Sequence, residues 1–154
     1  MTECHTYELL KQRDNGNAPL WDNIYRSEYW DVVHSYNTSL LGWIVLVTRR
    51  HIEAISDMTE NEAVELGKLI QQVSLILKEV TGCVKTYVIQ FAEHPQHPHV
   101  HFHIVPRMVD QPNDHKSTNI FKYLGVEESD RVSDDNMNRI ASQIQTRLLE
   151  LNSR

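Results

Sequence analysis

The run His99-Val100-His101-Phe102-His103-Ile104-Val105-Pro106 decides how the rest of the chain is read. Five of the nine histidines fall between His94 and His103, and three of those five alternate within this run. Side chains on a β-strand point to opposite faces in turn, so a strand here sends three imidazoles one way and Val100, Phe102 and Ile104 the other. A reactive face is thus backed by a core face. Imidazole is a nucleophile, a proton shuttle and a metal ligand near neutral pH, and three in register on one rigid strand exceed what packing or solvation asks for.

The flanking segments supply the architecture. Lys85 to Phe91 (KTYVIQF) is strand-like, and Ala92 to Pro98, with two prolines, joins it to the histidine strand as a hairpin. His97 precedes Pro98 and is biased toward an extended backbone. Upstream, Gly42 to Thr48 is a nearly continuous apolar run of strand length, the pattern of a central strand buried on both faces. Ile24 to Ser27 and Tyr29 to Val33 read as a first hairpin, with Trp30 and Val32 on one face. Thr59-Glu60-Asn61-Glu62 has the capping-box pattern, and Ala63, Leu66, Ile70, Val73, Leu77 and Val80 follow at spacings of three and four. That predicts a helix of about six turns, ended by Gly82. Glu3 to Arg13 suits a short helix followed by a turn from Asp14 to Pro19. Asp110 to Ser117 is a polar loop, and Ser133 or Asp134 caps a last amphipathic helix through Met137, Ile140, Ile144, Leu148 and Leu151. The expected fold class is α+β: an antiparallel sheet of about five strands, a long helix packed on one face, and a C-terminal helix.

Composition narrows the function. At 154 residues the chain suits one domain, 1–154, with a homodimer as the expected assembly. The longest apolar run, Leu40 to Val47, is far short of the ~20 residues of a membrane span. No secretory pattern is visible at the N-terminus, and Cys4 and Cys83 are the only cysteines, so a cytoplasmic protein is expected. A net charge of −6 argues against binding nucleic acid through its phosphate backbone. An anionic ligand would need a local group of donors, for which Arg49, Arg50, Lys85 and Arg107 are candidates.

The string HVHFHIV, with an apolar residue after each histidine, resembles the signature of the histidine triad (HIT) superfamily of nucleotide hydrolases and transferases. The resemblance spans roughly residues 20 to 106, including the strand, basic turn and long helix of Trp43 to Leu77, and leaves 107–154, a loop and helix, unassigned. The segment FAEHPQHPHVHFHIVPR is similar to bacterial members described as diadenosine polyphosphate hydrolases. The resemblance implies that His101 attacks the α-phosphorus of a nucleotide to give a covalent nucleotidyl-histidine, which water then opens, with no cofactor required. Its second ring nitrogen would be held by a backbone carbonyl on the same strand. His103 would face the phosphate oxygens or the leaving group, and His99 would support the site or bind metal. Gln90 and Gln96 match places where relatives bind phosphate.

Two departures stand out. Many relatives carry a histidine where this chain has Trp43, so a partner of the triad is expected to be missing. Many also bind the ribose with an aspartate where this chain has Ser35, with Asn37 nearby and Asp31 as a more distant substitute. Some relatives hold a structural zinc, and the matching positions are Cys4, Tyr7, His51 and His99; Tyr7 is no match for a thiolate, so His5 or water would complete the set. His94 and His97 read as surface-loop residues, Arg49 and Arg50 as a solvated basic turn, and at least two of Trp21, Trp30 and Trp43 as packing residues. His34 and His115 have no evident partners.

The expected function is hydrolysis at the α-phosphate of a nucleotide conjugate. Diadenosine polyphosphate, phosphoramidate, acyl-adenylate and nucleotide-sugar are all open as substrates. A nucleotidyltransferase is one alternative. The others are a zinc enzyme or metal carrier using His99, His101 and His103 as ligands, and a silent nucleotide-binding protein.

Overall fold

A computed structural model describes residues 4–153. Five antiparallel strands form one sheet in the order β1-β2-β3-β5-β4: β1 is Tyr25–Arg26, β2 Trp30–His34, β3 Ile44–Thr48, β4 Lys85–Ile89 and β5 His101–Arg107. Three helices accompany it: α1 His5–Asp14, α2 Glu60–Thr81 and α3 Asp134–Asn152. The first helix begins at His5 with Cys4 as its N-cap; Glu3, where it was expected to begin, lies outside the described residues. Among the described residues no helix is long and apolar enough to cross a membrane.

The long helix is specified by local chemistry at both ends. The Thr59 side chain accepts the Glu62 amide while Glu62 accepts the Thr59 amide, a complete capping box. At the other end Gly82 has φ 72°, a left-handed conformation that glycine adopts without a Cβ clash. Ser133 rather than Asp134 caps α3, accepting from the Asn136 amide.

The central strand β3 is buried along its whole length, and its two faces meet different partners. Ile44 and Leu46, with Phe102 and Ile104 of β5, pack against Leu69, Val73, Ile76 and Leu77 of α2 and Ile140, Ile144 and Leu148 of α3. Val45 and Val47 share the opposite face with Trp43, Val105 and Ile120. The long helix and the C-terminal helix thus lie on one face, as expected, and the opposite face is covered as well. The expected polar loop leads into 3-10 turns over Asn113–His115 and Ser117–Tyr123, which place Ile120, Phe121 and Leu124 over the second face.

The histidine strand is regular only from His101. Val100 donates its amide to the Ile52 carbonyl while its own carbonyl accepts from Thr48 of β3, and His99 donates to His97, so the start of the strand is shared between the loops and the ladder. β4 likewise stops at Ile89, two residues before Phe91. The first triad histidine thus sits at the mouth of the strand, where it meets a different neighbourhood from the other two.

Candidate active site

A cavity of about 500 Å³ opens on the second face of the sheet. His101 and His103 of β5 lie on it beside Val45 and Val47, with Ser35 and Asn37, His94 and His97 of the β4–β5 loop, Thr6 and Arg13 of α1, and Phe121 and Leu124 around them. The wall is largely apolar, with a few polar groups converging, as small-molecule sites usually are. His94 and His97 border this cavity from the surface loop expected for them, with His94 exposed. Thr6 Oγ1 lies 2.7 Å from His97 Nδ1, tying α1 to that loop.

His101 is prepared from its own strand. Its Nδ1 is 2.6 Å from the His99 carbonyl oxygen. A carbonyl only accepts, so Nδ1 carries the proton and Nε2 keeps the lone pair. Burial lowers the His101 pKa, opposed by that carbonyl bond, which keeps the ring neutral near pH 7.

His103 is held from the neighbouring strand. Trp43, fully buried, approaches with its indole Nε1 2.9 Å from His103 Nδ1. The partner expected to be missing is thus present in another chemical form, because an indole N–H can hydrogen-bond an imidazole nitrogen as another ring would. Edge-to-face contacts hold the His103 ring on three sides: Trp43 at 5.6 Å between centroids, Phe121 at 5.5 Å and His101 at 5.0 Å. Burial pushes its pKa down to about 3.

His99 turns away from these two. Its Nε2 is 2.6 Å from the Thr48 carbonyl oxygen, which assigns the proton to Nε2 and leaves Nδ1 with a lone pair. That nitrogen faces His51 Nδ1 at 3.0 Å and Cys4 Sγ at 4.0 Å. Burial pulls the His99 pKa down to about 4. Cys4, His51 and His99 form a group that could hold a metal ion, with ligand atoms within 4.8 Å of one another. One thiolate and two imidazoles suit zinc, and a water would complete four ligands. His5, the expected alternative ligand, does not join the group. His5 turns to Glu8, at 3.3 Å, and Tyr7 stays at ring distance from His51, 6.4 Å. Among the described residues the three strand histidines do not converge on one ion, which removes the geometry required by a carrier using His99, His101 and His103 together.

The remaining candidates separate into those at the cavity and those away from it. Ser35 and Asn37 line it, and Asn37 Oδ1 is buried with no hydrogen-bond partner among the described residues. Gln90 and Gln96 are not among its lining residues; Gln96 contributes its backbone, donating to His94 Nδ1 and accepting from the His5 amide. His34 proves to have two partners, the Gly42 amide at Nε2 and the Ser35 carbonyl at Nδ1, and burial lowers its pKa to about 4. Asp31 is fully buried between Arg13 and Arg26 and does not reach the cavity. Arg49 bonds the Ser27 and Glu28 carbonyls, and Arg50 bonds Glu62, so the basic turn braces the first hairpin and α2.

Arg13 and Asp22 were not singled out from the sequence, yet both border the cavity. They pair at 3.1 Å, and burial, opposed by Arg13, raises the Asp22 carboxyl to about 6. Their distance from the triad along the chain leaves no local signal. Phe121 and Leu124 were visible only as apolar residues beyond a polar loop.

Comparison with known proteins matches the HIT domain family to residues 22–109. This chain belongs to the HIT domain family. Among curated protein sequences none matches it. A zinc-bound histidine triad family protein from Mycobacterium smegmatis superposes with TM-score 0.65 at 16% identity, covering 97% of this chain and 96% of that one. A hypothetical histidine triad nucleotide-binding protein from Sulfolobus tokodaii gives 0.68 at 16% identity, over 94% and 93%. The diadenosine triphosphate hydrolase of Plasmodium falciparum gives 0.62 at 16% identity, over 85% and 78%. At these identities the likeness is one of fold, and in the first case it takes in the C-terminal loop and helix beyond the matched domain.

Proposed function

We propose that this HIT protein is a nucleotide hydrolase acting at the α-phosphate of a nucleotide conjugate, of the dinucleoside polyphosphate or phosphoramidate class, through a covalent nucleotidyl-His101. The observation that carries this reading is the 2.6 Å contact between His101 Nδ1 and the His99 carbonyl oxygen, because it leaves an unprotonated Nε2 in a preorganised ring beside the cavity. His103 adjoins it to meet the phosphate oxygens. Ser35 and Asn37 are assigned to the ribose, whereas Gln90 and Gln96, expected at the phosphate, lie outside the cavity lining and are not assigned. Two structural neighbours, a hypothetical histidine triad nucleotide-binding protein and a diadenosine triphosphate hydrolase, support the same reading.

Cys4, His51 and His99 are assigned to a structural zinc, whose role is to tie α1 to the mouth of β5. No catalytic step requires it, since His101 is itself the nucleophile. The chain 1–154 is read as one HIT-like domain that pairs as a homodimer: β4 ends the sheet, and Val84, Val88 and Phe91 are exposed along it.

The reading is tested by offering the purified protein diadenosine polyphosphate, adenosine phosphoramidate, acyl-adenylate and nucleotide-sugar, with His101→Ala in parallel. Release of the mononucleotide from at least one conjugate by the wild type, and from none by the variant, is expected. Turnover by His101→Ala, or no turnover of any conjugate, overturns the reading.

A further inference from the structure

The hydrogen bond from Trp43 to His103 restricts what His103 can do. Tryptophan Nε1–H is a donor only, and the imidazole nitrogen facing it must therefore carry a lone pair. In a neutral ring that places the single proton on Nε2. An imidazolium at His103 would set its own N–H against the indole N–H across 2.9 Å, two donors with no acceptor between them. The ring has no easy escape by rotation, because Trp43, Phe121 and His101 each press an aromatic edge or face against it. Trp43 itself is fully buried, with Val45, Val105 and Ile120 in the same apolar cluster.

We infer that Trp43 is a positioning residue that holds His103 as the Nε2–H tautomer, a hydrogen-bond donor and not a source of protons, and that the substrate is accordingly a nucleotide joined to its leaving group by a P–O–P anhydride. This rests on the proposed attack by His101 and chooses between the two conjugate classes left open there. His101 Nε2 forms a bond to the α-phosphorus while the P–O bond to the leaving group breaks. The electron pair stays on the departing phosphate oxygen, an anion stable near pH 7 that needs no proton. Water then displaces Nε2 from phosphorus, its proton passes to solvent, and His101 recovers its lone pair. The same first step on a phosphoramidate leaves the pair on a basic amine nitrogen. His103 could protonate that nitrogen only by becoming an imidazolate, and its deep burial opposes any resting positive charge. Its Nε2–H remains well suited to a non-bridging phosphate oxygen, where charge accumulates in the transition state.

Three measurements test this. Nitrogen-15 NMR of histidine-labelled wild type, with His103 assigned by loss of its signals in His103→Gln, is expected to show an unprotonated Nδ1 and a protonated Nε2 at pH 7. A proton on Nδ1, or a cationic ring, overturns the inference without any reference to activity. Diadenosine polyphosphate and an AMP–amine phosphoramidate are then compared on the wild type. A kcat/KM preference for the anhydride on the order of a hundredfold is expected, the low end of what general-acid assistance contributes. Equal rates, or preference for the amine, overturn the inference but leave nucleotidyl transfer to His101 standing. Loss of both activities refutes the proposed function, and the NMR result still decides the tautomer. Finally, Trp43→Phe removes the donor and keeps most of the apolar body. Its His103 signals should shift toward a tautomer mixture, and kcat should fall about tenfold with KM held, less than the loss from deleting an oxyanion donor outright. Wild-type tautomer populations in Trp43→Phe contradict the assigned role of Trp43. The first two measurements are read on the wild type, with His103→Gln serving only to assign the signals.

Discussion

The two faces of the β3–β5 pair have the same backbone, the same register and opposite chemistry. On one, Phe102 opposes Leu46 and Ile104 opposes Ile44, and all four disappear beneath α2 and α3. On the other, His101 opposes Val47 and His103 opposes Val45, and the covering is a cavity walled by short turns and a loop. The apolar face has many equivalent contacts, so each residue contributes through area and fit. The imidazole face has few contacts, each fixing one nitrogen: His99 O on His101 Nδ1, Trp43 Nε1 on His103 Nδ1, Thr48 O on His99 Nε2. Rigidity comes from the packed face and is used on the other.

If that division is correct, His101→Ala gives the largest effect in activity and little in stability. Turnover should vanish while thermal unfolding stays close to wild type; retention of more than about a few per cent of wild-type activity breaks the comparison. Phe102→Ala should act in the opposite sense. Its ring packs edge-on to Trp30 at 5.9 Å, and removing a buried aromatic costs ~3–5 kcal/mol, read as a lower denaturation midpoint. An unchanged midpoint would mean the faces are not divided as described.

Acid should unfold the protein through its buried imidazoles. His34 and His97 have folded-state pKa values of about 4 and His103 about 3, all below the ordinary 6.5, and burial is the leading cause for each. The unfolded chain therefore binds more protons between those values and 6.5. Stability from these groups is complete above about 6.5 and falls as pH drops toward 4. Asp22, raised to about 6, has the opposite sign and opposes the three imidazoles with a single group. Melting temperature measured from pH 7 to 4 should decrease; a flat or rising profile contradicts the neutral buried rings.

Legibility followed the range over which each signal acts. The capping box at Thr59, the stop at Gly82 and the alternation of β5 are local, and each was readable from a few adjacent residues. His101 and the carbonyl it meets are two residues apart, so that contact was legible as well, given the family resemblance. The His103 partner was not, because Trp43 lies 60 positions away and its polarity shows only once β3 and β5 are paired. Arg13 and Asp22 reach the cavity through the placement of α1, which no local pattern specifies. Burial of β3 on both faces was readable, but what covers the second face was not, because 3-10 turns lack the periodicity that announces a helix.

Smaller effects sharpen the account of the cavity. On the proposed assignment of the cavity residues Ser35 and Asn37 to the ribose, and with neutral hydrogen bonds contributing about 0.5–1.5 kcal/mol net, loss of the 2′-hydroxyl should lower kcat/KM about tenfold or less. A preference near a thousandfold would point to a charged ribose contact, and Asp22, which borders the cavity, would replace Asp31 as its source. Smallest of all is the expected effect of chelation on turnover. Removing metal from Cys4, His51 and His99 should lower thermal stability and leave kcat near wild type, whereas abolished activity in folded protein, restored by zinc, would make the metal catalytic.

The central claim is that the imidazole face carries a nucleophile at His101. Its most direct test is to mix enzyme with a nucleotide conjugate, quench in base within a turnover, and locate the adduct by peptide mass spectrometry, since a phosphorus–nitrogen bond to imidazole survives alkali better than acid. The account predicts a nucleotidyl group on His101 that forms and decays at the rate of turnover. A nucleotidyl group on another residue, or sustained turnover with no adduct at any time, contradicts it.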